Sequence, residues 1–262
     1  MDGAIRHRHL SPALRALPSD RLRSGPPAGV KALIYNWLWR GIADGRMEAG
    51  AQISETELEQ LFGVSRTVTR SVLEHMAMEG YVDITPHQTS RVHEPSPKEA
   101  RDVFEVLHAT MTHIVRELSA PTRTLPLRQR RLIEMHLNAQ TQVDEDASAA
   151  HLLGIEYLIL LAAIHDVPAF TELTTRAVLV KTLSLRVYGQ FPSPAWYTAF
   201  QHGLTDAILA RRQDAALAEF HQRHAHIRAT LRFDDVGEDD EDEPVAVLAQ
   251  RRQSAPRRAQ QR

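Results

Sequence analysis

Ile53-Ser54-Glu55-Thr56-Glu57-Leu58-Glu59-Gln60-Leu61-Phe62-Gly63-Val64-Ser65-Arg66-Thr67-Val68-Thr69-Arg70 is the stretch whose reading decides the fold. Ser54 followed by Glu57 has the spacing of a capping box, in which hydroxyl and carboxylate each meet a backbone N–H at a helix start. The helix it opens is expected to bury Leu58, Leu61 and Phe62. It should stop at Gly63, since glycine takes the left-handed C′ conformation without strain. Val64 then plugs the corner, and Ser65 is a favoured N-cap. A second helix is expected from Arg66 to about Glu79, burying Val68, Val72, Leu73 and Met76 and ended by Gly80. Helix, tight glycine turn and helix match a DNA-reading unit whose second helix enters the major groove by its N-terminal residues, although an ordinary αα corner can carry the same turn. Those residues are Ser65, Arg66, Thr67, Thr69 and Arg70. Arg66 and Arg70 lie four apart on one face, off the apolar stripe. Arginine can fork onto guanine or grip a phosphate, and Thr67 and Thr69 can donate to phosphates.

Upstream, Val30, Leu33, Ile34, Trp37, Leu38 and Ile42 recur at helical spacing, and Gly45 closes that element. Residues 47–53 read as a connection. Downstream, Tyr81-Val82-Asp83-Ile84-Thr85 alternates as a strand, Pro86-His87-Gln88-Thr89 turns, and Ser90-Arg91-Val92-His93 returns. The whole is a winged helix-turn-helix over residues 29–95. In Glu94-Pro95-Ser96-Pro97 each proline disfavours helix for the residue before it, which marks a boundary. Residues 97–232 read as entirely helical, with weak breaks at Pro121–Pro126, Pro168 and Pro192–Pro194. The expected fold is mainly α.

The chain has 262 residues, enough for two domains, with 43% hydrophobic and 24% charged residues and a net charge of −2. Charge totals therefore single out neither nucleic acid nor membrane as partner. Absence of cysteine excludes disulfides, zinc ribbons, thiol nucleophiles and iron–sulfur clusters. The apolar run Tyr157 to Ile164, even extended back to Leu152, reads as too short to span a bilayer. No secretory signal follows Arg6 and Arg8. A soluble, cytoplasmic protein is expected. Residues 1–28 carry five arginines and four prolines without sustained apolar period and read as a disordered basic arm. Residues 233–262 read as a disordered tail, acidic over 234–243 and basic over 251–262, because like charges repel and bury no area. No Gly-rich phosphate loop, Gly-x-Ser-x-Gly elbow or His-Glu-x-x-His occurs, so no enzyme is expected.

Three spaced motifs, Ile42 to Gly50, Ile53 to Leu58 and Phe62 to Arg70, resemble the GntR family of bacterial transcriptional regulators. The resemblance implies an N-terminal DNA-binding domain and a homodimer on a palindromic double-stranded operator. Arg66 and Arg70 match the family's DNA-contacting arginines, and Arg46 matches one near the backbone. Gln88 and Thr89 stand at the wing tip, where the family carries a basic residue and a glycine. Val68-Thr69 replaces a usual proline.

Pro97 to Leu107 resembles the start of the all-α effector domain (FCD domain) of the FadR-type branch, over roughly 97–232, which implies an antiparallel helical bundle of six or seven helices. That branch often holds a small carboxylate through a metal bound by one Asp and three His. Alignment on Ala162-Ala163 and Pro168 puts Gly154 and Leu158 at the first two ligand positions and Tyr157 at an adjoining aromatic one. Neither Gly154 nor Leu158 offers a lone pair to Zn or Ni, so no metal or other cofactor is expected. His202 and His224 stand near the remaining positions. Tyr157, Arg176, His202 and His224 are therefore the expected effector residues, with Arg186 beside them, for a carboxylate or a more apolar metabolite. The expected function is a ligand-responsive regulator, a repressor before an activator. Its alternatives are a DNA-binding scaffold that has lost sensing and a metal-dependent carboxylate sensor with displaced ligands.

Overall fold

Helix α2 (Val30–Ala43) carries the first apolar stripe, with Ile34, Leu38 and Ile42 sealed from solvent. Helices α3 (Glu55–Phe62) and α4 (Arg66–Met78) follow at the positions expected. The computed structural model of the chain describes residues 9–18, 29–85, 89–143 and 146–233. Ser54 accepts the N–H of Glu57 at 3.2 Å, and Gly63 turns the chain at φ 62° in the left-handed region. The stripe of α4 is narrower than expected. Val72, Leu73 and Met76 are buried, Val68 is half-buried, and Leu61 of α3 is 47% exposed. Strands β1 (Gln52–Ile53), β2 (Val82–Asp83) and β3 (Ser90–Val92) form an antiparallel sheet in the order β1-β3-β2, with Gln52 opposite Arg91 and Val82 opposite Val92. The sequence reading took residues 52–53 for connection. Two residues are too few to show a period, and the outer ladder of β3 supplies what fixes them.

The bundle comprises α5 (Pro97–Leu118), α6 (Leu127–Thr141), α7 (Ala147–His165), α8 (Pro168–Tyr188), α9 (Pro194–Leu209) and α10 (Gln213–Arg228). Ser96 and Glu99 form a complete capping box at α5, with Pro97 in the first turn where a missing N–H costs nothing. Helix α7 is apolar all round and packs against α5, α6, α8 and α9, so every residue from Ala150 to His165 is buried. At 19 residues it is longer than the apolar run suggested. Its length and composition would suffice to cross a membrane, yet 83% of its apolar window is inside the protein.

The arm read as disordered over 1–28 is ordered at residues 9–18. Helix α1 (Pro12–Arg15) buries Ala13 and Leu14 against α6 and α7. The cause is Glu156 of α7, 0% exposed, whose carboxylate accepts the N–H of Leu10 at 2.9 Å and of Ser11 at 2.7 Å and meets the His9 ring at 3.2 Å. Ser11 Oγ and His136 Nδ1 are 2.8 Å apart. The His9 ring also packs edge-on against Trp39 of α2, so the segment passes between head and bundle. The remainder of the arm and both charged blocks of the tail lie outside the described residues.

The described residues up to Leu231 form one compact unit, in which side-chain donors tie head and bundle together. Arg176 Nη2 donates to Met78 O at 2.6 Å and Arg186 Nη2 to Ala43 O at 3.3 Å. Ser148 Oγ donates to Asp44 O at 3.2 Å. Tyr81 OH donates to Thr175 O at 3.3 Å and Tyr188 OH to Pro95 O at 2.7 Å. Ala43 and Met78 are the last residues of α2 and α4, whose final carbonyls have no partner within their own helix.

Candidate nucleic-acid interface

The N-terminal half of α4 stands clear of the protein. Ser65, Arg66, Thr67 and Arg70 are exposed, and Ser65 occupies the N-cap without spending its hydroxyl on the helix. Arg66 Nε meets Glu55 Oε2 at 3.3 Å and Arg70 Nε meets Glu74 Oε1 at 3.2 Å. These pairs sit in water, where an exposed ion pair holds its partners weakly, so another anion can exchange for the glutamate. Arg46 pairs with Asp44 at 2.9 Å on the turn after α2.

Thr69 corrects the expected contact set. It is 0% exposed and its hydroxyl points into the head, so it cannot donate to a phosphate. The reason is periodicity: Thr69 precedes Val72, Leu73 and Met76 by three, four and seven residues, which puts it on the buried stripe. At the wing, Thr89 is exposed beside β3, and Gln88 lies outside the described residues.

The expected effector residues are not gathered in one place. Tyr157 is fully buried and its hydroxyl meets Thr205 Oγ1 at 2.7 Å, while burial pushes the phenol well above its usual range. Arg176 is exposed and spends a donor on the head, and His202 is exposed on α9. His224 alone among them lines a cavity, of about 20 Å³, between α5, α7, α8 and α10. Phe104, His108, Leu158, Lys181 and Arg223 share that lining. Burial holds the His224 imidazole down to about 4, and His108 is lowered by burial and then by His221.

The residues present do not fit a metal of the family type. A Cβ at Gly154, the position expected to align with an acidic ligand, would stand 2.5 Å from the Tyr197 ring, so this position has no room for a carboxylate. Leu158 presents carbon to the cavity, and no group of three metal-binding side chains occurs among the described residues. Sequence reasoning missed His108, Lys181 and Arg223. One signal was present: Lys181 is one of three lysines in the chain and stands inside Val178-Leu179-Val180-Lys181-Thr182-Leu183.

Helix, glycine corner, exposed arginine helix and wing together define a winged helix-turn-helix domain. Residues 31–92 match the family described as bacterial regulatory proteins, gntR family, and the head is a helix-turn-helix domain of that family. Two solved structures share the fold over most of the chain. One, from Rhodococcus sp. RHA1 and described as a transcriptional regulator GntR, has 18% identity and a TM-score of 0.64, covering 76% of this chain and 97% of that one. The other, E. coli McbR/YncC, has 15% identity and a TM-score of 0.63, covering 78% and 99%. No curated protein matches the chain by sequence.

Proposed function

We propose that the chain is a ligand-responsive bacterial transcriptional regulator that binds a palindromic operator as a homodimer and acts as a repressor. The observation that carries the reading is the exposed face of Ser65, Arg66, Thr67 and Arg70 on a helix held by a GntR-family head. One such helix buries little area on DNA, and paired heads reach half-sites about 34–36 Å apart or multiples of that. The bundle has the role of pairing two chains and setting their head spacing. An effector shifts the balance of spacings by no more than its differential affinity for them. With the metal positions filled by Gly154 and Leu158, the effector site is taken to work without a metal.

The test begins with operator selection from random duplexes by the full-length protein, followed by titration with Arg66→Ala. Loss of roughly 1–3 kcal/mol on the selected site, with relaxed preference at one base position, is expected if Arg66 reads a base. Unchanged affinity, or no enriched sequence, overturns the DNA-reading role. Light scattering should give twice the chain mass at micromolar concentration, and a monomer binding an asymmetric site would remove the dimer.

A further inference from the structure

Two basic side chains lie inside the bundle with no ion pair to meet them among the described residues. Lys181 on α8 and Arg223 on α10 are each 4% exposed. Neither forms an ion pair among the described residues, and no carboxylate lines their shared cavity. Arg223 Nε and Nη2 lack hydrogen-bond partners, and the guanidinium rests instead on the faces of Phe200 at 4.5 Å and Trp196 at 5.9 Å. The Lys181 ammonium sits 5.6 Å from the centre of the Phe104 ring. The Nε2 atoms of His108 and His224 are also unpartnered, with the two rings stacked at 4.1 Å.

Buried polar groups are ordinarily paired, and a buried charge is paired or loses its proton. Loss of the proton is open to Lys181, which burial and then Arg223 hold well below the usual lysine range. It is closed to Arg223, which burial lowers only to about 10 and which stays charged at neutral pH. A charge that cannot be discharged, with two donor nitrogens unspent, calls for an anion.

We propose that this cavity is a metal-free anion site in which Arg223 and Lys181, assisted by His224 and His108, bind one compact anion. About 20 Å³ is room for roughly one water-sized body. The chemistry that fits is therefore a halide, or a carboxylate head group admitted by small shifts of the long Lys181 and Arg223 side chains. Arg223 also lines a groove of about 410 Å³ between α9 and α10, with Trp196, Phe200, His226 and the acidic Glu219; the apolar body of a small acid can lie along the rings, with its carboxylate turned inward, away from Glu219. The site deepens the ligand-responsive reading above, on which only its regulatory meaning rests. The binding itself needs no DNA.

The test is calorimetry and thermal melting of the full-length protein with sodium chloride, bromide, formate and acetate, at constant ionic strength set by bulky methanesulfonate. Saturable uptake of one anion per chain with a raised melting temperature is expected. Lys181→Met and Arg223→Met should each weaken it by more than about 30-fold, the size expected when one member of a buried charge pair is removed. Without anion, Lys181→Met should melt no lower than the parent. Response to halides alone assigns a halide, and saturation by formate or acetate below the chloride concentration assigns a carboxylate. No saturable response to any of the four, or equal response in both variants, overturns the site. Should Arg223→Met fail to fold, bromide located by anomalous diffraction in the parent protein decides, at the cavity or elsewhere. Arg66→Ala keeps the anion response and weakens operator binding, so failure of this site and failure of the DNA reading are separable.

Discussion

The reading head and the helical bundle handle charge in opposite ways. In the head, Arg46, Arg66 and Arg70 have side chains 60%, 74% and 52% exposed, and each lies beside a carboxylate it can leave. In the bundle, Glu156 is sealed and meets two backbone N–H groups and an imidazole, whereas Lys181 and Arg223 are sealed and meet ring faces. Water makes the head's pairs cheap to exchange, as trading a glutamate for a phosphate requires. The bundle's charges have no such freedom, and what surrounds each one fixes its consequence.

The sharpest way to break this contrast is Glu156→Ala. It strands the N–H groups of Leu10 and Ser11 and frees α1, and a loss of about 3–5 kcal/mol in urea unfolding is expected, as for other broken buried charge pairs. A loss no larger than that of a surface substitution would mean the segment at 9–18 contributes nothing. Next comes pH. His136 is fully buried, and burial lowers it from 6.5 to about 4, with Glu156 opposing. The unfolded chain therefore takes up this proton first as pH falls. Stability contributed by the neutral ring is whole above about 6.5 and drains away between 6.5 and 4, by about 3 kcal/mol in all. His136→Gln should flatten that part of the pH–stability curve, and an unchanged slope would show that another group governs it.

The head should give smaller numbers. Arg70→Ala is expected to cost roughly 1–3 kcal/mol on the selected operator if it meets a base; if it grips a phosphate, it lowers the salt slope by about 1 and weakens all sequences alike. Smallest of all, Glu55→Gln should change folding stability by under about 1 kcal/mol, because the pair with Arg66 is exposed. It should leave operator affinity equal or tighter, since Arg66 then has no competitor. Weaker DNA binding by Glu55→Gln would mean the glutamate positions the arginine and does not merely park it.

The head was legible because its signals are local. Ser54 three residues before Glu57, Gly63 at a left-handed corner and Ser65 ahead of a periodic helix each act within one turn of chain. The errors inside it came from reading residue chemistry ahead of period, as at Thr69, which has a phosphate-binding hydroxyl but a core address. The bundle was legible as helices and opaque as a site. Helix α1 offers only Ala13 and Leu14 between prolines, and what orders it is a glutamate 145 residues from Ser11. The cavity is built from four helices, and its cations are meaningful only once the absence of a facing carboxylate is known. Sequence spacing carries no such information.

The five hydrogen bonds described above between head and bundle share one property: each ends on a backbone carbonyl, at Ala43, Asp44, Met78, Pro95 or Thr175. A carbonyl is present whatever side chain its residue bears. Mutational drift at these five acceptor positions therefore leaves the joint intact as long as the helix ends stay in place. The specificity of the joint resides in its donors, Tyr81, Ser148, Arg176, Arg186 and Tyr188. Three of those donors lie on α8, the helix that also carries Lys181. In a set of diverging descendants, the joint between head and bundle would be traced by which of these donors persist, while the acceptors wander freely.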